Sequence, residues 1–451
     1  MRRATIGALQ ADFAASFRLG TPILLKYKPL LGMKLTPRSR YYSASQVAGG
    51  PLDGIKILDL SRVLAGPFCT QILADYGADV LKVEHPIGDD TRLWREEGEE
   101  KIWKPEETDM SLYFSTINRN KRSISLNLKH EKGKEILLQL VKKADIVVDN
   151  FIPGKLEELG VGYETLRQIN PRIIHASISG YGAGGPYAKR AGYDVIAAAE
   201  GGLLHITGES DGPPTKPGVG IMDLCTGLYV HGAVLAALQA REKSGLGQKV
   251  DGSLFETTLS LLCNVGMSWL NLGREAKRWG TGHPSIVPYE AFETKDSYLV
   301  AGAVNNRQFQ NICRLLGNDN LAKDPRFTSN GARVSNRKDL KVILDHLFSE
   351  RTTEEWLAVF EGSGMPYGPI NTLEKAFSHP QTAARDMILT VDQHSAASGQ
   401  VRVLGVPVKF SETKPSVREG PPSLGQHTDE VLQENGFSKE AISDLRKEGV
   451  L

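Results

Sequence analysis

From Leu52 onward the chain alternates short apolar runs with longer amphipathic ones. IKILDLS (Ile55–Ser61), ADVLKVE (Ala78–Glu84), SISLNL (Ser123–Leu128), DIVVDNF (Asp145–Phe151) and RIIHASISG (Arg172–Gly180) are brief and apolar, which predicts buried strands. Between them, GPFCTQILADYG (Gly66–Gly77), KGKEILLQLVKKA (Lys132–Ala144) and YETLRQINP (Tyr163–Pro171) space their apolar residues as helices do. Strand and helix in turn predict a parallel sheet flanked by helices, an α/β fold. A further helix within GVGIMDLCTGLYVHGAVLAALQAR (Gly218–Arg241) and a strand KVDGSLF (Lys249–Phe255) extend this unit. Leu228, Ala233, Leu235, Ala236, Leu238 and Ala240 make that helix apolar around much of its surface, so it is expected to be buried.

The pattern breaks in two places. His85–Asp109 (HPIGDDTRLWREEGEEKIWKPEETD) is a polar insertion without any period. Asn271–Phe292 (NLGREAKRWGTGHPSIVPYEAF) is rich in Gly, Pro and Arg and reads as a linker into a second unit. That unit has a strand in YLVAGAV and helices in RQFQNICRLLG, NRKDLKVILDHLF and TTEEWLAVFEG. Beyond His379-Pro380 the chain turns strand-like again (MILTVDQH, QVRVLGVPVKF) and ends in a short helix, SKEAISDLRKEG. The expected division is a large domain over 50–270 and 385–451, and a small α/β domain with linkers over 271–384.

Composition narrows the function. The 451 residues carry a net charge of +1, with 24% charged and 40% hydrophobic residues, so no overall basic field invites nucleic acid. No run of about twenty apolar residues is seen, so no membrane span is expected. Cys69, Cys225, Cys263 and Cys313 are scattered without metal-ligand spacing, so no metal site is expected. The first 45 residues differ: Arg2, Arg3, Arg18, Lys26, Lys28, Lys34, Arg38 and Arg40 face one acid, Asp12. A basic, acid-poor, Ser- and Ala-containing leader predicts a mitochondrial transit peptide over 1–45 and a matrix location.

The candidate chemistry centres on Asp223. It follows the Gly- and Pro-rich loop GESDGPPTKPGVG and stands at the mouth of a helix, whose positive end favours its anion. On position alone, an Asp there reads as a helix cap. GYGAGG (Gly180–Gly185) formally matches a dinucleotide fingerprint, but Pro186 follows at once and PYAKRAGYD opens no convincing helix, so a flexible loop is the better reading. Cys225, two residues past Asp223, is expected to be a buried small hydrophobe rather than a nucleophile.

Taken together, RVLAGPFCTQILADYGADVLKVEHP, LYFSTINRNKRSISLNL, DNFIPG, ISGYGAGGPYAKRAGYD and the Asp223 segment resemble the class III (CaiB/BaiF) CoA-transferases from about Leu52 to the C-terminus. The resemblance implies a large Rossmann-like, CoA-binding parallel-sheet domain and a smaller α/β domain, in a homodimer of interlocked rings. It implies Asp223 as the nucleophile. It places CoA contacts at Val63, Leu64, Ala65, His85, Leu126, Asn127, Leu128, Lys129, Asn150, Phe151, Ala191, Gly192, Tyr193 and Asp194. A Gly-rich loop, GTGHP (Gly280–Pro284), is expected to close over the acyl group. His85, Glu158 and Ala191 stand where basic residues are common in the formyl-CoA branch, so the CoA phosphates are expected at Lys129, Arg122, Lys189 or Arg190.

CoA is then a co-substrate, and no permanently bound cofactor or metal is required. The implied reaction moves CoA from succinyl-CoA to glutarate or a related dicarboxylate such as 3-hydroxy-3-methylglutarate, through an aspartyl mixed anhydride and an enzyme–CoA thioester. Oxyanions on that path are expected to be held by N–H groups of the helix start or the Gly loop. Arg119, Arg92 and His283, with Gly282 beside it, are the candidates for the acid's free carboxylate. Two other readings remain, an acyl-CoA racemase or isomerase and a non-catalytic CoA-binding protein. Tyr193 in GYD, where the racemase branch has GHD, removes one of the two racemase bases.

Overall fold

The apolar runs of the N-terminal half pair into one sheet. Its strands are β1 (Lys56–Asp59), β2 (Asp79–Glu84), β3 (Lys121–Ser125), β4 (Ile146–Asp149), β5 (Ile174–Ser179) and β6 (Lys249–Ser253). They lie in the order β3-β2-β1-β4-β5-β6, and every pairing is parallel. The structure is a computed structural model that describes residues 49–451; the leader expected over 1–45 lies outside the described residues.

The central strands β1, β2 and β4 feed two cores, as the two-residue repeat of a strand allows. Leu58, Leu81, Ile124 and Val147 face the helix Glu131–Val141 and the C-terminal Val431, Leu432 and Ile442. Their neighbours Ile57, Val80, Ile146 and Val148 face the helix Ala65–Asp75 and the helix Ile221–Ser244. Burial on both sides explains why consecutive residues such as Ile57 and Leu58, Val80 and Leu81, and Ile146, Val147 and Val148 are all apolar rather than alternating with polar ones. The chain leaves β1 toward β2 on one side, and leaves β4 toward β5 on the other. Loops that diverge in this way open a crevice at the carboxyl edge of the sheet.

A second sheet, β7 (Tyr289–Glu293), β8 (Tyr298–Gly302) and β9 (Tyr367–Pro369), is antiparallel. It has its own core of Phe292, Leu299, Phe309, Phe348, Trp356 and Phe360, with Phe292 and Phe348 stacked 4.4 Å apart. The hairpin β10 (Ile388–Asp392) and β11 (Gln400–Leu404) packs on Trp103, Met110 and Phe114.

One expectation, the burial of the Asp223 helix, needs correction, and the insertion over 85–109, aperiodic in sequence, is ordered. Glu99, buried, accepts from the Trp103 indole (3.1 Å), the Leu112 amide (2.8 Å) and the Glu96 amide (2.9 Å). Order of that kind runs through one carboxylate and leaves no hydrophobic period. The helix Ile221–Ser244 is buried on one side only: Val230, Val234 and Ala237 are inside, whereas Leu228 and Tyr229 are about half exposed. At 24 residues it is also long and apolar enough to cross a membrane by length and composition, a run the sequence reading did not credit. It lies against the helix Ala65–Asp75 and along β5 and β6.

Candidate active site

The residues expected to touch CoA come from the loops after β1, β2, β3, β4 and β5, all on the carboxyl edge of the parallel sheet. Around the strand-order reversal three of these loops are tied together. After β1, the Arg62 amide and carbonyl are both bonded to the Asn150 side chain, which follows β4. The Val63 amide donates to Asp89, from the loop after β2. His85 is exposed on that same loop. Beyond β3, Leu126 is in the core, and its amide is taken by the Glu84 carbonyl, while that of Asn127 is taken by Val450. Leu128 and Phe151 also pack toward the core, and the Lys129 side chain is exposed. Ala191 and Tyr193 are exposed after β5, where Gly192 approaches Gly180 so closely that a Cβ at Gly180 would lie 2.6 Å from the Gly192 Cα.

Asp223 sits in the first turn of its helix, but it is not the cap. Gly220 is the capping residue, and it offers no side chain to the free amides. Asp194, distant in sequence, supplies one: its Oδ1 accepts from Met222 at 2.7 Å and from Asp223 at 3.3 Å. The Ile221 amide goes to Val219 and that of Leu224 to Gly220. Three of the four amides that a helix start leaves without an intrahelical partner, those of Ile221, Met222 and Asp223, are therefore engaged within the protein, and the Gly loop is the other expected source of donors to an oxyanion.

The Asp223 carboxylate itself is half-buried, and among the described residues no side chain or amide donates to it. Burial first, then the negative charge of Asp194, pushes its pKa up to about 7. Leu64 packs close to the helix start: its Cδ2 is 2.8 Å from where a Cβ on Gly220 would stand, so a larger residue there would push the Leu64 side chain aside. Tyr113, which the sequence reading did not single out, lies in the same field. Burial and the charges of Asp223, Asp194 and Asp89 raise its phenol, so it stays a neutral donor. Trp94 packs edge-on against it at 5.2 Å. Trp94 belongs to the aperiodic insertion, whereas Tyr113 lies in the motif LYFSTINRNKRSISLNL, which drew attention to its basic cluster and not to the phenol.

The basic candidates fare differently. Arg119 is buried, with Nε and Nη2 on Asp75 at 3.0 and 2.6 Å and Nη1 on the Leu404 carbonyl at 2.7 Å. Arg92 is buried too, fork to fork with Glu84 at 2.8 and 2.7 Å and 3.6 Å above the Phe114 ring. Neither has a free face for a substrate carboxylate, and both expectations are withdrawn. Among the four basic residues expected near phosphate, Arg122 is paired with Asp79 and Glu434 and Arg190 with Glu200, while Lys129 and Lys189 are exposed.

The loop Gly280–Pro284 is anchored at both ends. Arg337 donates to the carbonyls of His283 (3.1 Å) and Pro284 (2.7 Å) and stacks 4.3 Å above Trp279. The Gly280 amide reaches the Gly208 carbonyl at 2.9 Å, and Gly282 closes a turn onto Trp279 at 2.8 Å. His283 stands edge-on to Tyr289, its Nδ1 accepting from the Ser285 amide.

Comparison with known proteins agrees with this geometry. A family model described as CoA-transferase family III matches residues 52–428. An acyl-CoA transferase of Fusarium pseudograminearum is 56% identical over 89% of this chain and 88% of its own length. The human succinyl-CoA:glutarate CoA-transferase is 45% identical over 89% of this chain and 90% of its own. Among solved structures, a CAIB/BAIF family protein from Brucella suis superposes with a TM-score of 0.77 at 40% identity, covering 86% of this chain and all of that one.

Proposed function

This chain belongs to CoA-transferase family III, and from that membership we propose that it moves CoA from succinyl-CoA to glutarate or a related dicarboxylic acid. Asp223 is the nucleophile in this reading. Its carboxylate oxygen attacks the thioester carbonyl, the C–S bond breaks, and CoA leaves as thiolate. The thiolate then attacks the Asp223 carbonyl of the mixed anhydride and releases succinate, leaving an enzyme–CoA thioester. Glutarate attacks that thioester and expels the thiolate. The thiolate takes the glutaryl group and frees Asp223. Thioester energy is conserved throughout, and two difficult partners exchange through activated stages.

One observation carries the proposal: a half-buried carboxylate to which nothing among the described residues donates. Leaving such a group without donors costs stability, and a reacting partner is the reason to keep it so. Tyr113, held neutral and within the field of the Asp223 charge, is a candidate donor for a developing oxyanion. The proposal includes CoA as co-substrate, a homodimer, and a matrix location by way of the basic leader.

The test is conversion of succinyl-CoA across a panel of dicarboxylic acids, followed by mass spectrometry. Glutaryl-CoA is expected among the best products, and Asp223→Ala is expected to lose at least about a thousandfold in rate while still binding CoA. Retained transfer in that variant sinks the mechanism. Exchange of an α-proton with solvent deuterium, in the absence of any acceptor acid, would replace transfer by racemisation.

A further inference from the structure

Val63 has φ of 69°, a left-handed backbone that a β-branched residue adopts only under constraint. The constraint is visible on three consecutive residues. Lys82 Nζ, buried, donates to the Ser61 carbonyl at 2.8 Å. Asn150 grips Arg62 at both ends: its Oδ1 accepts the amide at 2.9 Å, and its Nδ2 donates to the carbonyl at 2.7 Å. Asp89 accepts the Val63 amide, 3.2 Å from each of its oxygens. The next residue is Leu64, whose side chain presses on Gly220 at the start of the Asp223 helix.

Lys82 and Asp89 are bound to each other at 3.0 Å, and Asp89 also holds Thr91, so both have duties elsewhere in the fold. The Asn150 bonds go to Arg62 alone. We propose that Asn150 is a positioning residue: it holds Val63 left-handed, which keeps Leu64 against Gly220 and the turn bearing Asp223 in place. Family resemblance expects Asn150 as a CoA contact, but here its amide is committed to the backbone of the neighbouring loop. The inference rests on Asp223 being the nucleophile, and adds a mechanical coupling between residues 150 and 63. Strain at a reacting site persists only where surrounding structure over-determines it, and this turn is clamped at each residue.

A double-mutant cycle tests the coupling, with kcat/KM for CoA transfer measured in the wild type, Asn150→Ala, Val63→Gly and the double variant. Glycine adopts positive φ without steric cost, so in its presence the clamp loses its purpose. Asn150→Ala alone is expected to lower kcat/KM about ten- to a hundredfold, the scale of an ångström of misplacement. Introduced alongside Val63→Gly, the same change is expected to cost less than about threefold. Equal losses in the two backgrounds, with the KM for acyl-CoA rising in both, mean that Asn150 simply contacts CoA, and the proposal falls. Should Asn150→Ala melt without cooperativity, Asn150→Asp keeps the acceptor, loses the donor, and carries the same cycle. An inactive wild type, or an active Asp223→Ala, counts against the functional reading instead. The coupling is then decided by melting temperatures over the same four proteins, where additivity overturns it.

Discussion

At the scale of single residues, the proposed role of Asp223 as nucleophile ties the pH behaviour to its ionisation. Only the anion attacks, so kcat/KM for succinyl-CoA is expected to climb about tenfold per pH unit below an inflection near 7, and to level off above it. A profile flat from pH 5.5 to 8.5 would show that some other group limits the reaction. The same shift has a consequence for stability. The folded carboxyl titrates near 7 and the unfolded one near ~3.9, so between those values the folded state holds the extra proton. Stability therefore declines as pH rises from about 4 to about 7, and stays reduced above that. Asp223→Asn removes the burden, so its gain in melting temperature over the wild type is expected to be larger at pH 8 than at pH 5. The full shift is worth at most roughly 4 kcal/mol, of which no more than roughly 3 kcal/mol separates pH 8 from pH 5, and partial exposure lowers both. An equal gain at the two pH values would refute the raised titration.

At the scale of elements, the helix Ile221–Ser244 is started by a residue outside it. Asp194→Ala strips its first turn of an acceptor and is expected to cost about 1–2 kcal/mol of stability. Asp194→Asn keeps a carbonyl oxygen for the cap but removes the charge that helps to hold Asp223 up, so the activity inflection is expected to move to lower pH. An inflection that stays put separates capping from electrostatics. The Gly280–Pro284 loop depends similarly on Arg337 from the helix Arg337–Phe348. Arg337→Ala is expected to raise hydrolysis of succinyl-CoA relative to transfer, because an unlatched loop admits water to the anhydride. A ratio unchanged from wild type would rule that latch out.

These elements also mark the limit of what the sequence discloses. The strands of the main sheet are legible from their short clusters of buried apolar residues, whereas the buried Asp59, Lys82, Glu84, Lys121 and Asp149 among them announce nothing of their partners. The helix of Asp223 is legible, but its cap is not, because the acceptor comes from Asp194, which no local spacing connects to it. Arg119 and Arg92 look like anion binders until the fold delivers Asp75 and Glu84 to them. A basic residue announces its charge in the sequence, whereas its counter-ion is chosen by the fold.

At the scale of the whole molecule, the Asp223 helix poses a problem that one chain does not solve. Leu228 and Tyr229 on its outer side are 48% and 52% exposed. On the helix Cys263–Leu272, Met267, Trp269, Leu270 and Leu272 are 59%, 55%, 77% and 66% exposed. So many large apolar side chains in the open are uncommon on a protein that works alone. Covering them is the physical argument for the proposed homodimer, and it bears on the proposed catalysis too, since the exposed face belongs to the helix that carries Asp223. A partner seated there would stiffen that helix and help to keep water from the anhydride. Sedimentation equilibrium is expected to return twice the mass of one chain at micromolar concentration, as an interface of about 1,600 Å² or more allows. Leu270→Glu should then shift the population toward single chains, with transfer activity falling in step with the dimer fraction as the protein is diluted. A variant that sediments like the wild type would mean that Leu270 stays in solvent in the assembly, and the surface joining two copies must then be sought away from this helix.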